Sequence, residues 1–177
     1  MPMMLKRTFM IATVLLNLIF GDVAIAQGTA SETQVQAAII YQFTRFTQWP
    51  DFERPFKIQV VADPELKNAI EGAIKGKNFS EHPIEVELSS WKEPVREHTK
   101  VLVFPKDHHK EVQSFIQNIK NKPILTVSYG EGLAASGVMI NFYLGNSSLK
   151  FEINKTAAED ASLKLSSQIL KLARIVD

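Results

Sequence analysis

The chain has 177 residues, of which 20 are basic and 19 acidic, and it contains no cysteine. A net charge near zero and the lack of Lys or Arg runs exclude nucleic acid and anionic membranes as main partners, because both are held by clustered positive charge. The missing cysteines exclude a disulfide framework, a thiolate metal site and a lipid-modified cysteine near the start of the chain.

The start of the chain has the three-part plan of a secretory signal peptide. A basic pair precedes an apolar stretch over 8–20, and the small residues Ala24 and Ala26 fit a cleavage site. A membrane-spanning helix needs about 20 apolar residues, and this stretch is shorter. We therefore expect residues 1–26 to be cleaved on export and 27–177 to form one soluble domain that does not insert into the membrane. A retained anchor is the alternative.

An amphipathic helix is predicted after Ser31. Ser31 and Gln34 have the spacing of a capping box, and apolar residues then recur at intervals of three and four, as they do on one face of a helix. That face comprises Val35, Ile39, Phe43 and Phe46. Pro50 disfavours helical geometry in the residue before it, so the helix should end at or before Trp49.

The middle of the chain alternates apolar strands with amphipathic helices. We predict strands over 56–62, 83–88, 101–104 and 123–128, and helices over 64–74 and 112–119. Gly76 is a typical left-handed stop for the first of these helices. A strand, a helix and a strand in succession favour parallel pairing through a right-handed crossover.

The last third of the chain predicts a hairpin followed by a helix. Strands over 137–144 and 148–153 are separated by the turn pair Gly145-Asn146, and Asn154 is a suitable N-cap for the predicted C-terminal helix. The apolar stripe of that helix comprises Ala158, Ala161, Leu165, Ile169 and Leu172. We therefore predict an α/β fold, a single-domain mixed sheet of about five or six strands flanked by helices, with a long C-terminal helix.

No group of residues predicts catalysis. Ser128 follows a strand, but the Gly-x-Ser-x-Gly turn of a hydrolase nucleophile is absent. His108 and His109 are adjacent and would point about 100 degrees apart on a helix, so they do not share a face as metal ligands do. Asp107 more simply caps the helix that begins there. We expect no enzyme activity, no metal site and no cofactor.

Aromatic side chains cluster around one guanidinium where the first helix meets the following loop. The cluster comprises Phe43, Arg45, Phe46, Trp49, Pro50 and Phe52. Such groups form hot spots in protein interfaces, so Arg45, Phe46 and Trp49 are candidates for contact with a partner or ligand. The alternative is that Phe43 and Phe46 belong to the core and that Trp49 covers the edge of the sheet.

Six segments together resemble the YfiR-like family in their order and spacing. They are 35–50 (VQAAIIYQFTRFTQWP), 123–128 (PILTVS), 137–142 (GVMINF), 151–154 (FEIN), 157–158 (AA) and 163–173 (LKLSSQILKLA). The chain departs from the family in two respects. It lacks the cysteines that form disulfides in a family member, and Gly137-Val138 stands where the family pattern has Gly-Gly before Met.

The resemblance implies an α/β fold, a homodimer and no catalysis. It also implies a soluble periplasmic repressor, which restrains a membrane-bound diguanylate cyclase by binding the cyclase's periplasmic domain. Such repression lowers cyclic di-GMP and biofilm formation. An OmpA-like outer-membrane lipoprotein is the further partner that the resemblance implies, since it can sequester the repressor.

A periplasmic small-molecule sensor or carrier is the alternative function. Its pocket would lie between the aromatic cluster near Trp49 and the strand ends near Ser128 and Asn141, because ligand sites combine an apolar lining with a few polar groups. Ser128 and Asn141 are therefore candidate binding residues as well.

Overall fold

The computed structural model describes residues 30–50, 55–146 and 148–177. The predicted signal peptide and Phe52 lie outside the described residues. The helices in these ranges are α1 Glu32–Arg45, α2 Pro64–Ile74, α3 His109–Ile119, α4 Lys155–Asp160 and α5 Ser167–Leu170. The strands are β1 Thr47–Gln48, β2 Phe56–Val61, β3 Asn78–Phe79, β4 His82–Ser89, β5 Thr99–Val103, β6 Leu125–Tyr129, β7 Ile140–Gly145, β8 Ser148–Asn154, β9 Lys164–Leu165 and β10 Arg174–Val176. None of these helices is both long enough and apolar enough to cross a bilayer.

Eight strands form one mixed sheet in the order β10-β8-β7-β6-β5-β2-β4-β3, and β1 and β9 form a separate antiparallel ribbon. The predicted strand, helix and strand around α3 are confirmed, since β5 and β6 pair in parallel with Val101 opposite Leu125. The α/β class and the mixed sheet are also confirmed. The sheet has more strands than the five or six predicted, because the short edge strands β3 and β10 carry too few residues for a recognisable alternating pattern.

The sheet is covered on both faces, within the compact unit Glu32–Asp177. Successive side chains of a strand point to opposite faces. One face, here called the α1 face, packs Ile40 and Phe43 of α1 together with α2 against Ile58 of β2. The other, the α3 face, packs Val112 of α3 against Leu102 of β5. Full burial of each such side chain contributes about 2 to 3 kcal/mol, which is why α1 and α3 hold fixed positions on the sheet.

Local signals at the helix ends agree with the structure in most places. Gly76 has a φ of 72° just after α2, and the Asn154 side chain accepts from the backbone N–H of Ala157 at 2.7 Å at the start of α4. The prediction that Asp107 caps a helix is wrong. The N-cap of α3 is His108, without a side-chain hydrogen bond, and Asp107 has a positive φ of 65°.

The predicted long C-terminal helix is also wrong. The chain beyond Asn154 forms two short helices and two short strands, and Ser162, with a φ of 59°, lies just beyond the first helix. The apolar spacing indicated burial correctly in part, since Ala158, Ala161 and Ile169 are buried. The backbone of β9 pairs with β1 and that of β10 with β8, and these long-range pairings override a local helical preference.

Candidate partner-binding surface

The C-terminal end of α1 is held in place by its own hydroxyl groups and by the core. The side chains of Thr44 and Thr47 donate to the carbonyls of Tyr41 and Phe43, each at 2.7 Å, and the Phe43 carbonyl is one of the groups that a helix end leaves unpaired. The ring of Phe43 is buried, 5.6 Å from Phe142. The interpretation of Phe43 as a core residue is therefore confirmed.

Arg45 and Phe46 reach the surface next to this anchored end. Arg45 is exposed and Phe46 is half-buried against the core. The chain then pairs with β9, with Thr47 opposite Leu165, and the Phe46 carbonyl accepts from the backbone N–H of Ser166 at 2.8 Å. Two distant segments thus form one rigid surface.

This surface, here called the α1 end surface, surrounds a depression of about 260 Å³. Its lining residues are Arg45, Phe46, Gln48, Lys164, Leu165 and Ser166. Two exposed cations, Arg45 and Lys164, line the depression together with the apolar Phe46 and Leu165, and none of the lining residues that the structure describes is a carboxylate. The arrangement can bind an acidic surface that carries an apolar group, because charge complementarity orients the partner while the apolar contact is buried.

Trp49 lies apart from the α1 end surface. Its indole ring packs edge-on against Phe56 at 5.2 Å and against Phe79 of the edge strand β3 at 5.7 Å. The interpretation that Trp49 covers the edge of the sheet is therefore confirmed. The indole Nε1 is buried and has no hydrogen-bond acceptor among the described residues.

Ser128 and Asn141 lie inside the protein, on the α3 face of the sheet, and neither exposes any surface. The Ser128 hydroxyl donates to Asn141 Oδ1 at 2.7 Å, and Asn141 Nδ2 donates to Glu152 Oε1 at 2.9 Å and to the Gly130 carbonyl. Arg174 of β10 donates in turn to the Glu152 carboxylate. A continuous polar row therefore crosses the four neighbouring strands β6, β7, β8 and β10.

The polar row ends at the surface on a cation. The Glu152 side chain is 3 % exposed, whereas that of Arg174 is 57 % exposed and lies over the Tyr143 ring at 4.5 Å. The hydrogen bond from Arg174 to Glu152 raises the pKa of the guanidinium above its ordinary value. Sequence reasoning found Ser128 and Asn141 but missed Glu152 and Arg174, because a charged residue in a strand normally faces water and gives no sign of burial.

The structure brings together only some of the candidate residues. Arg45 and Phe46 share one surface, and Ser128 and Asn141 share one network. Trp49 packs on the α1 face, opposite the side chains of Ser128 and Asn141. A single ligand pocket lined by Trp49, Ser128 and Asn141 is therefore absent from the described part of the chain.

The sequence profile of the YfiR/HmsC-like family matches residues 33–174. This range includes every described helix and strand except the first residue of α1 and the last two residues of β10. The chain belongs to the YfiR/HmsC-like family. YfiR/HmsC-like proteins are regulatory and non-catalytic, and they act in cyclic di-GMP signalling. No curated protein sequence matches this chain significantly.

One solved structure supports the fold of this YfiR/HmsC-like chain. It is a conserved domain protein from Vibrio cholerae O1 biovar El Tor, with a TM-score of 0.56 and 12 % sequence identity. The alignment covers 83 % of this chain and 60 % of the Vibrio chain. At this identity the likeness establishes the architecture alone.

The adjacent His108 and His109 of this YfiR/HmsC-like chain contact different groups. His109 Nε2 lies 2.9 Å from the Glu131 carbonyl, whereas the His108 ring tilts against Trp91 at 5.4 Å. No three His, Cys, Asp or Glu side chains in the described ranges are placed to hold a metal ion. Both imidazoles therefore have structural contacts of their own.

Proposed function

We propose that this chain is a periplasmic regulator that represses a membrane-bound diguanylate cyclase by binding the cyclase's periplasmic domain. Repression lowers cyclic di-GMP and biofilm formation. The observation that carries the proposal is the family match over residues 33–174. The signal-peptide plan of residues 1–26 supports export and cleavage before action.

The α1 end surface is the proposed contact with the cyclase. It is built on an anchored helix end and a paired ribbon, so little conformational entropy is lost when a partner binds. Arg45 and Lys164 supply positive charge on the same surface as Phe46 and Leu165. A partner patch with carboxylates around an apolar side chain would complement it.

Repression requires unequal affinity for two states of the cyclase. A regulator that bound active and inactive forms equally would shift nothing, however tightly it bound. Moving the cyclase from one per cent to ninety-nine per cent inactive takes about 5.5 kcal/mol of differential binding. A homodimer, which we also propose, could supply this through two linked contacts, and an OmpA-like lipoprotein would relieve repression by competing for the repressor.

The test compares charge reversals on the α1 end surface with charge reversals at two lysines outside it. Isothermal titration against the periplasmic domain of a cognate membrane diguanylate cyclase should show binding by the mature chain, and Arg45→Glu with Lys164→Glu should weaken it by about tenfold or more. Lys75→Glu with Lys171→Glu is the matched control, since Lys75 follows the end of α2 and both lysines are exposed away from the α1 end surface. The control should bind like the wild type.

Cellular cyclic di-GMP gives the second measurement. A strain lacking this gene should contain more cyclic di-GMP, and the Arg45→Glu, Lys164→Glu variant should fail to restore the lower level. Unchanged cyclic di-GMP in the deletion strain would contradict repression. Equal binding by the variant and the control would instead remove the α1 end surface as the contact.

A further inference from the structure

An open cleft lies on the α3 face, between α3 and the loop after β4. Its volume is about 720 Å³, and it is distinct from the α1 end surface, which lies beside the opposite face of the sheet. We call it the α3 cleft. The residues that matter for its chemistry are Trp91, Lys92, Val95, Lys110, Phe115 and Lys122.

The floor of the α3 cleft is aromatic and rigid. The Trp91 indole stacks parallel to Phe104, with ring centres 5.9 Å apart and 6° between the planes, and it meets Phe115 edge-on at 6.3 Å. Phe104 is fully buried, whereas Trp91 and Phe115 are half-buried. A half-exposed aromatic that is already held by its neighbours is the kind of anchor that protein interfaces use.

The rim of the α3 cleft is positively charged. Lys92, Lys110 and Lys122 are all exposed, and none forms an ion pair with a carboxylate in the part of the chain that the structure describes. Among the described residues that line the cleft, Glu93 pairs with Arg96 at 2.8 Å, and Glu111 lies 3.9 Å from His108, which carries a charge only when protonated.

The spacing of the lysines favours an extended occupant. The stretch of α3 that lines the cleft, from Lys110 to Ile119, is roughly 14 Å long, the span of about four residues of extended polypeptide. Lys110 lies at the start of this stretch, and Lys122 lies beyond its end. A small anion bound at one point could not reach both ends, whereas a peptide with spaced carboxylates could.

We propose that the α3 cleft binds an acidic segment of a partner protein, with carboxylates against the three lysines and an apolar side chain against Trp91 and Phe115. Because the cleft and the α1 end surface are separate, such a segment leaves the α1 end surface free. The proposal goes beyond the proposed function and does not depend on which protein the α1 end surface contacts.

Fluorescence anisotropy with a labelled peptide of alternating Glu and Leu tests the proposal on the full mature chain. We expect saturable binding that weakens as salt rises, and a loss of affinity of about tenfold or more in the variant Lys92→Glu, Lys110→Glu, Lys122→Glu. Lys75→Glu, Lys150→Glu, Lys171→Glu is the matched control, because these lysines are exposed elsewhere. It should bind the peptide like the wild type.

Four results would overturn the proposal. The first is the absence of saturable peptide binding, and the second is equal affinity of the two triple variants for the peptide. The third is that a peptide of alternating Lys and Leu binds the wild type as tightly as the peptide of alternating Glu and Leu does. The fourth is that free benzoate displaces the peptide with an affinity equal to the peptide's own. The last result would make the α3 cleft a small-molecule site. Sedimentation velocity adds a control: self-association that only the cleft variant abolishes, without peptide binding, would assign the cleft to a second copy of the chain.

Discussion

Asn141 and Glu152 face each other across the β7–β8 ladder, and the Asn141 amide donates to the Glu152 carboxylate at 2.9 Å. Both side chains are buried. A slip of one residue in this pairing would move Asn141 to the apolar α1 face and leave Glu152 without its partner. The bond therefore favours one register of the hairpin.

Replacing Asn141 with Leu should destabilise the fold. The substitution leaves the buried Ser128 hydroxyl and the Gly130 carbonyl without their partner, and it removes one donor from the Glu152 carboxylate, which keeps Arg174. We therefore expect the free energy of unfolding to fall by about 3 kcal/mol. Urea denaturation at neutral pH measures it. Gln117→Ala, at an exposed position of α3, is the control and should change the same quantity by less than about 0.5 kcal/mol. Equal losses in both variants would contradict a structural role for Asn141.

Replacing Arg174 with Met should loosen the C-terminal strand. Arg174 is the residue of β10 that pairs with the buried Glu152 carboxylate, so its loss leaves that carboxylate without a cation. We expect faster amide hydrogen exchange in 174–176 than in the wild type, with exchange in β5 unchanged. Adding Glu152→Gln should restore part of the protection. Protection of β10 equal to the wild type in the single variant would show that the ion pair does not hold the strand.

Glu87 should contribute to the loss of stability in acid. Hydrogen bonds from Arg96, and then from Lys57, hold the pKa of Glu87 below its ordinary value of 4.5. Because the folded-state pKa is the lower one, the stabilisation is complete well above pH 4.5 and is lost as the pH falls through the folded-state pKa. The Glu87 side chain is partly exposed, so the effect is at most about 1 kcal/mol.

Denaturation curves recorded between neutral pH and pH values below 4.5 test this contribution. Glu87→Gln should be less stable than the wild type at neutral pH, and the difference should shrink as the pH falls. Asp160→Asn, at an exposed position of α4, should show no such trend. A difference that stays constant with pH would contradict the role of the ionised Glu87 carboxylate.

Trp49 should tolerate Phe better than Ala. Its indole N–H has no acceptor among the described residues, so Trp49→Phe keeps the edge-on contacts with Phe56 and Phe79 and loses no hydrogen bond. We expect a loss of about 1 kcal/mol or less for Phe and about 2 to 3 kcal/mol for Ala, by urea denaturation. Equal losses in the two variants would contradict this prediction, because they would show that the indole N–H forms a stabilising hydrogen bond.

Local patterns in the sequence determined most of the elements. Pro50 and the apolar spacing of α1 placed the end of that helix before Trp49, and Asn154 and Gly76 marked helix ends where the structure has them. The same patterns identified Phe43 as a candidate core residue and indicated a strand, helix and strand around α3. These features depend on residues close together in the chain, so the sequence alone contained enough information.

Tertiary structure decided the candidate sites. Arg45 and Phe46 were visible as an aromatic and basic cluster, but the depression beside them also needs Lys164 and Leu165, more than a hundred positions further along the chain. Nothing local distinguished the buried Glu152 from an exposed glutamate. The partnership of Glu152 with Arg174 required β10 to pair with β8.

The C-terminal tail shows the physical reason for this division. The spacing of apolar residues after Asn154 predicts one helix, and part of the predicted stripe is indeed buried. The free energy that decides its conformation comes from backbone hydrogen bonds to β1 and β8 and from the Arg174–Glu152 pair, which join residues distant in sequence. Helical preference amounts to a few tenths of a kcal/mol per residue, so those long-range contacts prevail.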